Sequence, residues 1–192
     1  MSDPSVADSL QAKAILLKQP SWADMEFIRR LWQDPETMEP VGGPIRLTDE
    51  QARAWFHRMV DPRNSGDCYR LICDEHGQAV GEVSCHRLDL ATMTAELNIK
   101  IASQFRGRGF AQAAMRKFLE FFFVDMGGRV LVDEVAARNL IGQHLLRNFG
   151  FEPMIVSQES STFVMTEDKY WDLCRAGFPR NVEVAFQVST IM

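Results

Sequence analysis

Glycine and arginine alternate in the segment 104–111, which lies between a strand-like run and a helix-like run. Gly107 and Gly109 have no Cβ and tolerate positive φ, so the backbone beside them can come close to an anion. N–H groups at the start of a helix carry partial positive charge and bind phosphate readily. Arg106 and Arg108 add charged donors at the rim. These residue types in this order predict a phosphate-binding loop.

Two common phosphate-binding motifs fit this segment less well. A Walker loop requires a Gly-Lys pair followed by Ser or Thr, and the sequence contains no such run. A dinucleotide-binding fingerprint requires an early strand and a third small residue, where this chain has Gln112. The simplest alternative is a tight strand-to-helix turn whose arginines are only exposed.

Hydrophobic periodicity predicts the elements that hold this loop. The predicted strands are 12–17, 68–73, 79–86, 94–101, 129–135, 151–157 and 162–166. The predicted helices are one capped by Ser21 that runs to 31 or 32, then 49–60, 107–126 and 139–148. The early strands form an antiparallel meander, and the later ones form strand-helix-strand units. The fold class is therefore α+β, with a mixed, mostly antiparallel sheet of about seven strands and helices on both faces.

Length and composition narrow the class of protein. A chain of 192 residues with a net charge of −5 suits one domain and argues against general nucleic-acid binding. We expect a lead-in at 1–11, one domain at 12–174, and a tail at 175–192 in which 183–191 is either an added strand or irregular. The four cysteines form no Cys-x-x-Cys pair, which favours a reduced, cytoplasmic setting. Residues 1–18 do not resemble a signal peptide, and the apolar run 118–124 is too short for a membrane span.

The residues of the loop also carry a family resemblance. Residues 104–109 match the Gln/Arg-x-x-Gly-x-Gly signature of the GNAT superfamily of acetyl-CoA-dependent N-acetyltransferases. Asn139, with the Gly-Phe pair at 150–151, resembles the later motif of the superfamily. Residues 34–38 and the helix around Trp55 are similar to the branch that contains the ribosomal-protein-alanine N-acetyltransferases. The likeness covers about residues 12–167 and implies a sheet that splays between its fourth and fifth strands.

The resemblance implies how coenzyme A is bound. Its pantetheine arm would lie between the strands 94–101 and 129–135, and its pyrophosphate would bind the amides of the loop. The implied cofactor residues are Ile99, Ile101, Arg106, Gly107, Arg108, Gly109, Phe110, Ala111 and Asn139. The alternative role for Asn139 is that of a helix N-cap.

An amine must lose its proton before it attacks a thioester, because an ammonium with a pKa of about 10 has no lone pair. Glu82 and Glu96 lie in strands that the resemblance implies to line the cleft, and burial raises the pKa of a carboxyl group towards neutral pH. We expect one of them to take the proton, directly or through water. The Ile99 N–H would stabilise the oxyanion that forms. The alternative for either glutamate is a solvent-facing residue or a structural ion pair.

Two positions depart from the pattern of the family. Many relatives have a Tyr that protonates the leaving thiolate at the position of Leu146, and some have a Ser at the position of Gly142. Neither side chain here can donate a proton. Water could do so, because a thiol with a pKa of about 8.5 is a good leaving group; otherwise catalysis is weak.

We predict an acetyl-CoA-dependent N-acetyltransferase in which a primary amine attacks directly within a ternary complex. The acceptor is a protein N-terminus or a small-molecule amine, and Glu39, in the connecting segment 36–47, could attract a cationic one. The alternatives are a non-catalytic coenzyme A-binding sensor or interaction module, and a phosphate-binding protein unrelated to coenzyme A. We expect a monomer or homodimer that uses no metal, because the four histidines lack the spacing of metal ligands.

Overall fold

One sheet organises the molecule. The computed structural model describes residues 14–60 and 67–178, and in them seven strands pair in the order β1-β2-β3-β4-β5-β7-β6. The strands are β1 (Ile15–Lys18), β2 (Cys68–Asp74), β3 (Ala79–Asp89), β4 (Thr94–Ile101), β5 (Val130–Ala136), β6 (Glu152–Val156) and β7 (Ser160–Thr166). The β4–β5 pair is parallel, and the other neighbouring pairs are antiparallel. The predicted mixed, mostly antiparallel sheet is confirmed.

Six α-helices lie within the described ranges. They are α1 (Met25–Gln33), α2 (Pro35–Met38), α3 (Asp49–Val60), α4 (Phe110–Glu120), α5 (Leu140–Asn148) and α6 (Glu167–Ala176). Four of them match predicted helices. The helices α2 and α6 were not predicted from the sequence.

The two additional helices have clear physical causes. Pro35 follows α1 closely, and proline is favoured in the first turn of a new helix; Asp34 caps that turn by accepting from the Thr37 N–H at 2.9 Å. α6 follows Thr166 as its cap and carries Tyr170 into the core. The predicted domain boundary at residue 174 lies inside α6.

The central helix is shorter than predicted at its start. We expected a helix from 107, but Gly107 and Gly109 adopt φ values of 70° and 79°, which a helix cannot include, so α4 begins at Phe110. At its other end α4 continues into a π-helical turn at Phe121–Asp125. The three residues 107–109 therefore form a loop directly in front of the helix.

The helices cover both faces of the sheet, as predicted. α1 and α3 cover one face, where Ile28, Trp55 and Leu71 belong to one buried cluster. α4 covers the other face, and its Phe118 belongs to a larger cluster with Leu97 of β4. Successive residues of a strand point to opposite faces. We call these two sides the α1/α3 face and the α4 face.

The predicted lead-in 1–11 and the tail segment 183–191 lie outside the described residues. In the described part of the chain, no helix has the length and apolar character that a membrane crossing needs. All four cysteines are free thiols, and Cys174 alone among them is not fully buried.

Candidate active site

β4 and β5 pair over only three residues and then separate. Residues 94–96 face residues 130–132, and no further pair between these two strands follows. Both strands continue, β4 to Ile101 and β5 to Ala136. On its other side, β4 stays paired with β3 as far as Ile101. The β4 edge at 97–101 therefore offers backbone groups to an extended ligand that lies in the splay, as an added strand would.

The open end of the splay leads to the N-terminus of α4. Gly109 is the N-cap of this helix, and a Cβ added at Gly107 or Gly109 would meet no protein atom within 4 Å. The surface in front of the helix is thus open. First-turn N–H groups have no acceptor within the helix and carry its positive end charge. This end is the position that the sequence predicted for the pyrophosphate, and the placement stays a prediction.

Arg106 makes contacts that were not predicted from the sequence. Its guanidinium donates to three carbonyl oxygens, those of Ile101 at 3.3 Å, Glu36 at 3.1 Å and Thr37 at 2.8 Å. Its N–H donates to the Ser103 carbonyl at 3.2 Å. The donors of Arg106 thus hold α2 against the loop, and its contact with the pyrophosphate stays a prediction.

Arg108 is the second cation of the loop. Its guanidinium carbon lies 5.4 Å from the centroid of the Phe105 ring and 5.5 Å from that of the Phe110 ring. Cation–π attraction at these distances holds the guanidinium between the two rings. Its charge therefore stays at the rim of the predicted phosphate site.

Asn139 begins α5 at the end of the loop that follows β5. Its Oδ1 accepts from the Gly142 N–H at 3.0 Å, so the alternative N-cap role is observed. Its contact with coenzyme A stays a prediction. A Cβ at position 142 would lie 2.7 Å from the Asn139 amide nitrogen, which explains why glycine suits this position. Leu146, one turn further on, is 1% exposed and belongs to the main core.

A buried polar network lies on the α1/α3 face of β3 and β4. The carboxylate of Glu82, a residue that is 1% exposed, accepts from Trp32 Nε1 at 2.7 Å, from Lys100 Nζ at 2.7 Å and from the Tyr69 hydroxyl. Lys100 also donates to Asn98 Oδ1 at 2.6 Å. Burial, and then the charge of Glu82, raise the pKa of Tyr69 well above its usual value. Glu82 therefore lies where a candidate base was expected, but three donors already occupy its oxygens.

Glu96 occupies the last paired position before the splay. Its side chain is 47% exposed, and its Oε1 lies 2.6 Å from Arg87 Nη1, so the alternative of an ion pair is observed. On β3, His86 is paired with Glu96, and its Nε2 lies 2.8 Å from the Ser84 hydroxyl. Burial lowers the pKa of His86, which is therefore neutral at pH 7. Glu96 thus keeps the solvent access that a base needs, and its role in catalysis stays a prediction.

Asp133 is a carboxyl group that was not among the predicted site residues. It lies on β5, one residue after the last β4–β5 pair, and is half-buried. Burial raises the pKa of Asp133 to about 7; Lys100 opposes this rise and Glu96 adds to it. Within the described residues its carboxylate has no hydrogen bond or ion pair. The signal in the sequence was an Asp-Glu pair inside the otherwise apolar strand that borders the predicted splay, with Asp133 on the same face as Leu131 and Val135.

The segment between α1 and α3 is attached beside β4. Ser103, which follows β4, donates from its N–H to Thr37 Oγ1 at 2.9 Å and from its hydroxyl to Asp34 Oδ2 at 3.0 Å. Together with Arg106, these contacts hold α2 at that strand end.

The same segment is also attached beside β5. Arg138, in the loop after β5, donates to the Glu39 carbonyl at 3.0 Å, and its Nε lies 3.4 Å from the Glu39 carboxylate. The segment therefore reaches from one splayed strand end to the other. We call residues 34–41 the bridge.

In the ranges 14–60 and 67–178, no three His, Cys, Asp or Glu side chains come together in a way that could hold an ion. The site consists of an extended slot between parallel strands, which ends at the N-terminus of a helix. Such a slot defines a protein that binds an acyl-coenzyme A.

Comparison with known proteins agrees with this class. Residues 14–152 match the family model described as an acetyltransferase (GNAT) domain. The chain therefore belongs to the GNAT acetyltransferase family, and it is an acetyl-CoA-dependent N-acetyltransferase. This confirms the predicted enzyme class and the predicted donor.

Individual relatives are distant. The uncharacterized N-acetyltransferase p20 of Bacillus licheniformis is 21% identical over 147 residues, which are 76% of this chain and 83% of that protein. The structure of spermidine N-acetyltransferase from Vibrio cholerae with CoA and spermine matches with a TM-score of 0.74 at 18% identity, over 82% of this chain and 98% of that one. A chimera of that enzyme with hSSAT matches with a TM-score of 0.72 at 20% identity, over 82% and 98% of the two chains. These structures share the fold, whereas the predicted likeness to the ribosomal-protein-alanine branch stays a prediction.

Proposed function

We propose that this protein acetylates the primary amine of a small molecule, by direct attack of that amine on acetyl-CoA in a ternary complex. The observation that carries the proposal is the bridge over the mouth of the splay. Arg106 and Ser103 hold it at the β4 side, and Arg138 holds it at the β5 side. A covered mouth admits a slender amine more readily than the chain end of a folded protein.

The charge at the mouth supports a cationic acceptor. Two partly exposed carboxylates lie near this entrance: Glu39 belongs to the bridge, and Glu96 lies beside the splay. Carboxylates at the entrance of a cleft raise the local concentration of an ammonium ion. A spermidine N-acetyltransferase with bound spermine has the same fold, which is consistent with a polyamine-like acceptor.

In the proposed reaction the two faces of the sheet have different roles. The amine arrives on the α1/α3 face, where Glu96 takes its proton through water. Glu82 holds Lys100 in place and keeps that face polar. The Ile99 N–H stabilises the oxyanion, and the amides of residues 107–111 bind the pyrophosphate.

A panel of acceptors tests this function. Release of coenzyme A thiol is measured with spermidine, spermine, a diamine, a monoamine and peptides with free N-termini. We expect kcat/KM for the best small amine to exceed that for the best peptide by at least about tenfold, which corresponds to about 1.4 kcal/mol. Turnover of peptides alone would overturn the proposal in favour of a protein N-terminus, and bound coenzyme A without turnover would favour the sensor.

Arg138→Ala tests the bridge itself. The change frees the turn at Glu39–Val41 from the β5 side, so we expect the KM of the small amine to rise while the KM of acetyl-CoA stays constant. The matched control is Arg175→Ala, which removes an exposed ion pair with Asp172 on α6. An amine KM that is the same in both variants would show that the bridge does not shape the acceptor site.

A further inference from the structure

We propose that Asp133 is a catalytic acid of this protein, and that its carboxyl group protonates the sulfur of coenzyme A as the thioester breaks. This assignment rests on the proposed acetyl transfer and adds a proton donor to it. Leu146 and Gly142 on α5 cannot supply one. Three observations support the assignment: the position of Asp133 along β5, the face of the sheet to which it belongs, and the lack of a hydrogen-bond or ion-pair partner for its carboxylate within the described residues.

Asp133 stands at the closed end of the splay. The last pair joins Glu96 to Val132, so Asp133 is the first residue of β5 beyond it. The same register, continued, sets Asp133 level with Leu97. Because the pyrophosphate binds beyond Ile101, the thioester is the end of the cofactor that extends towards the closed end. The reacting sulfur and Asp133 are therefore brought to the same part of the slot.

Asp133 also belongs to the side of the sheet from which the cofactor enters. Leu131 and Val135, two residues away on either side, are buried in the cluster under α4. Strand alternation gives Asp133 the same face. The pyrophosphate site is the N-terminus of α4, on that face too. Glu96 belongs to the opposite face. In the proposed reaction Glu96 therefore accepts the proton of the amine, and Asp133 donates a proton to the sulfur.

Burial, more than the charged groups around it, leaves Asp133 partly protonated at neutral pH. On β4, Lys100 and Glu96 act on it with opposite signs. On β7 it faces Phe163, whose ring lies 4.9 Å from the guanidinium carbon of Arg147 on α5. Its neighbour Glu134 is engaged by the Ser160 hydroxyl at 2.6 Å. With a pKa of about 7, the acid and the carboxylate are present in similar amounts at pH 7.

The proton and the electrons balance in this step. The nitrogen lone pair forms the C–N bond, the C–S bond breaks, and its electron pair stays on sulfur. The proton of the Asp133 acid moves to sulfur, which gives the thiol of coenzyme A and the Asp133 carboxylate. The proton from nitrogen passes through Glu96 to water, and water reprotonates Asp133 before the next turnover. The transfer of this proton to sulfur is favourable, since a thiol has a pKa of about 8.5, above that of Asp133 at about 7.

The selenium analogue of the donor tests the role directly. A selenolate leaves without being protonated, because a selenol is a far stronger acid than a thiol. General acid catalysis contributes about 10²-fold or more, so Asp133→Asn should lose about 10²-fold in kcat with acetyl-CoA and about threefold or less with acetyl-selenocoenzyme A. The Kd of coenzyme A should stay constant. The control Glu134→Gln, on the next residue, should change neither rate.

The outcomes separate this assignment from the proposed function. Wild-type turnover on the amine panel is measured first, and its absence would overturn the proposed function. An equal loss by Asp133→Asn with both donors would overturn the acid role alone. A measurement on the wild type needs no variant: the ratio of kcat with the thioester to kcat with the selenoester should fall as the pH rises above 7. A constant ratio would contradict the assignment.

Discussion

Replacement of Asp133 by Asn should stabilise the protein at alkaline pH, although it removes a proposed catalytic group. Burial raises the pKa of Asp133 from its ordinary value of 3.8 to about 7. A raised pKa means that the folded protein binds this proton more tightly than the unfolded chain does. Between pH 3.8 and about pH 7 the folded state binds more protons than the unfolded chain, so the free energy of unfolding falls as the pH rises. The loss is complete above about pH 7.

The size of the effect follows from the shift. About three pK units at about 1.4 kcal/mol each give about 4 kcal/mol for a fully desolvated charge. Because Asp133 is half-buried, solvent relieves part of this cost, and we expect about 2 kcal/mol. Asn is neutral at every pH and has nearly the same shape. The two proteins should therefore be equally stable near pH 4, and the variant should be about 2 kcal/mol more stable at pH 8.

Urea unfolding across this pH range measures the difference, with the fluorescence of the four tryptophans as the signal. Glu134→Gln is the control, since that carboxylate is exposed and its change should give no such pH dependence. A difference between Asp133→Asn and the wild type that is constant with pH, or that favours the wild type at pH 8, would refute the reasoning.

Three further substitutions test other parts of the site. Gly109→Asp puts a negative charge at the positive end of α4 and should raise the KM of acetyl-CoA at least about tenfold, whereas Gly127→Asp, at a similar positive φ beyond the other end of that helix, should leave it constant. An unchanged KM for Gly109→Asp would show that the pyrophosphate does not bind at this end of α4. Glu82→Gln leaves the buried charge of Lys100 unpaired and should lower the free energy of unfolding by about 3 to 5 kcal/mol in urea; a loss below about 1 kcal/mol would show that the pair is not buried as described. Glu96→Gln should lower kcat at pH 7 and recover part of it at high pH, where the amine is already neutral; full activity with a flat pH response would remove Glu96 from the mechanism.

Local signals in the sequence were sufficient for most of the fold. The positive φ of Gly107 and Gly109 and the cap at Asn139 depend on residues that are neighbours in the chain. Alternating apolar residues fixed the strands on either side of the splay in the same way. For this reason α5 and the two strands beside the splay were predictable before any tertiary contact was known. The splay itself was implied by the family resemblance, and the central helix was expected to begin at 107 and not at Phe110.

The features that were not predicted depend on contacts between distant parts of the chain. Arg106 was predicted as a phosphate ligand, and its contacts with the carbonyls of Glu36 and Thr37, about 70 residues earlier, were not predicted. Asp133 has an unusual pKa because the folded sheet buries it. Neither burial nor a distant partner is visible in the spacing of residues along one strand.

A crystal structure of the complex with coenzyme A tests the central claim most directly. We expect the pyrophosphate within hydrogen-bond distance of the amides at 107–111, the pantetheine arm along the β4 edge at 97–101, and the sulfur beside Asp133. Coenzyme A bound outside the splay, or a sulfur on the far side of the sheet from Asp133, would contradict the account.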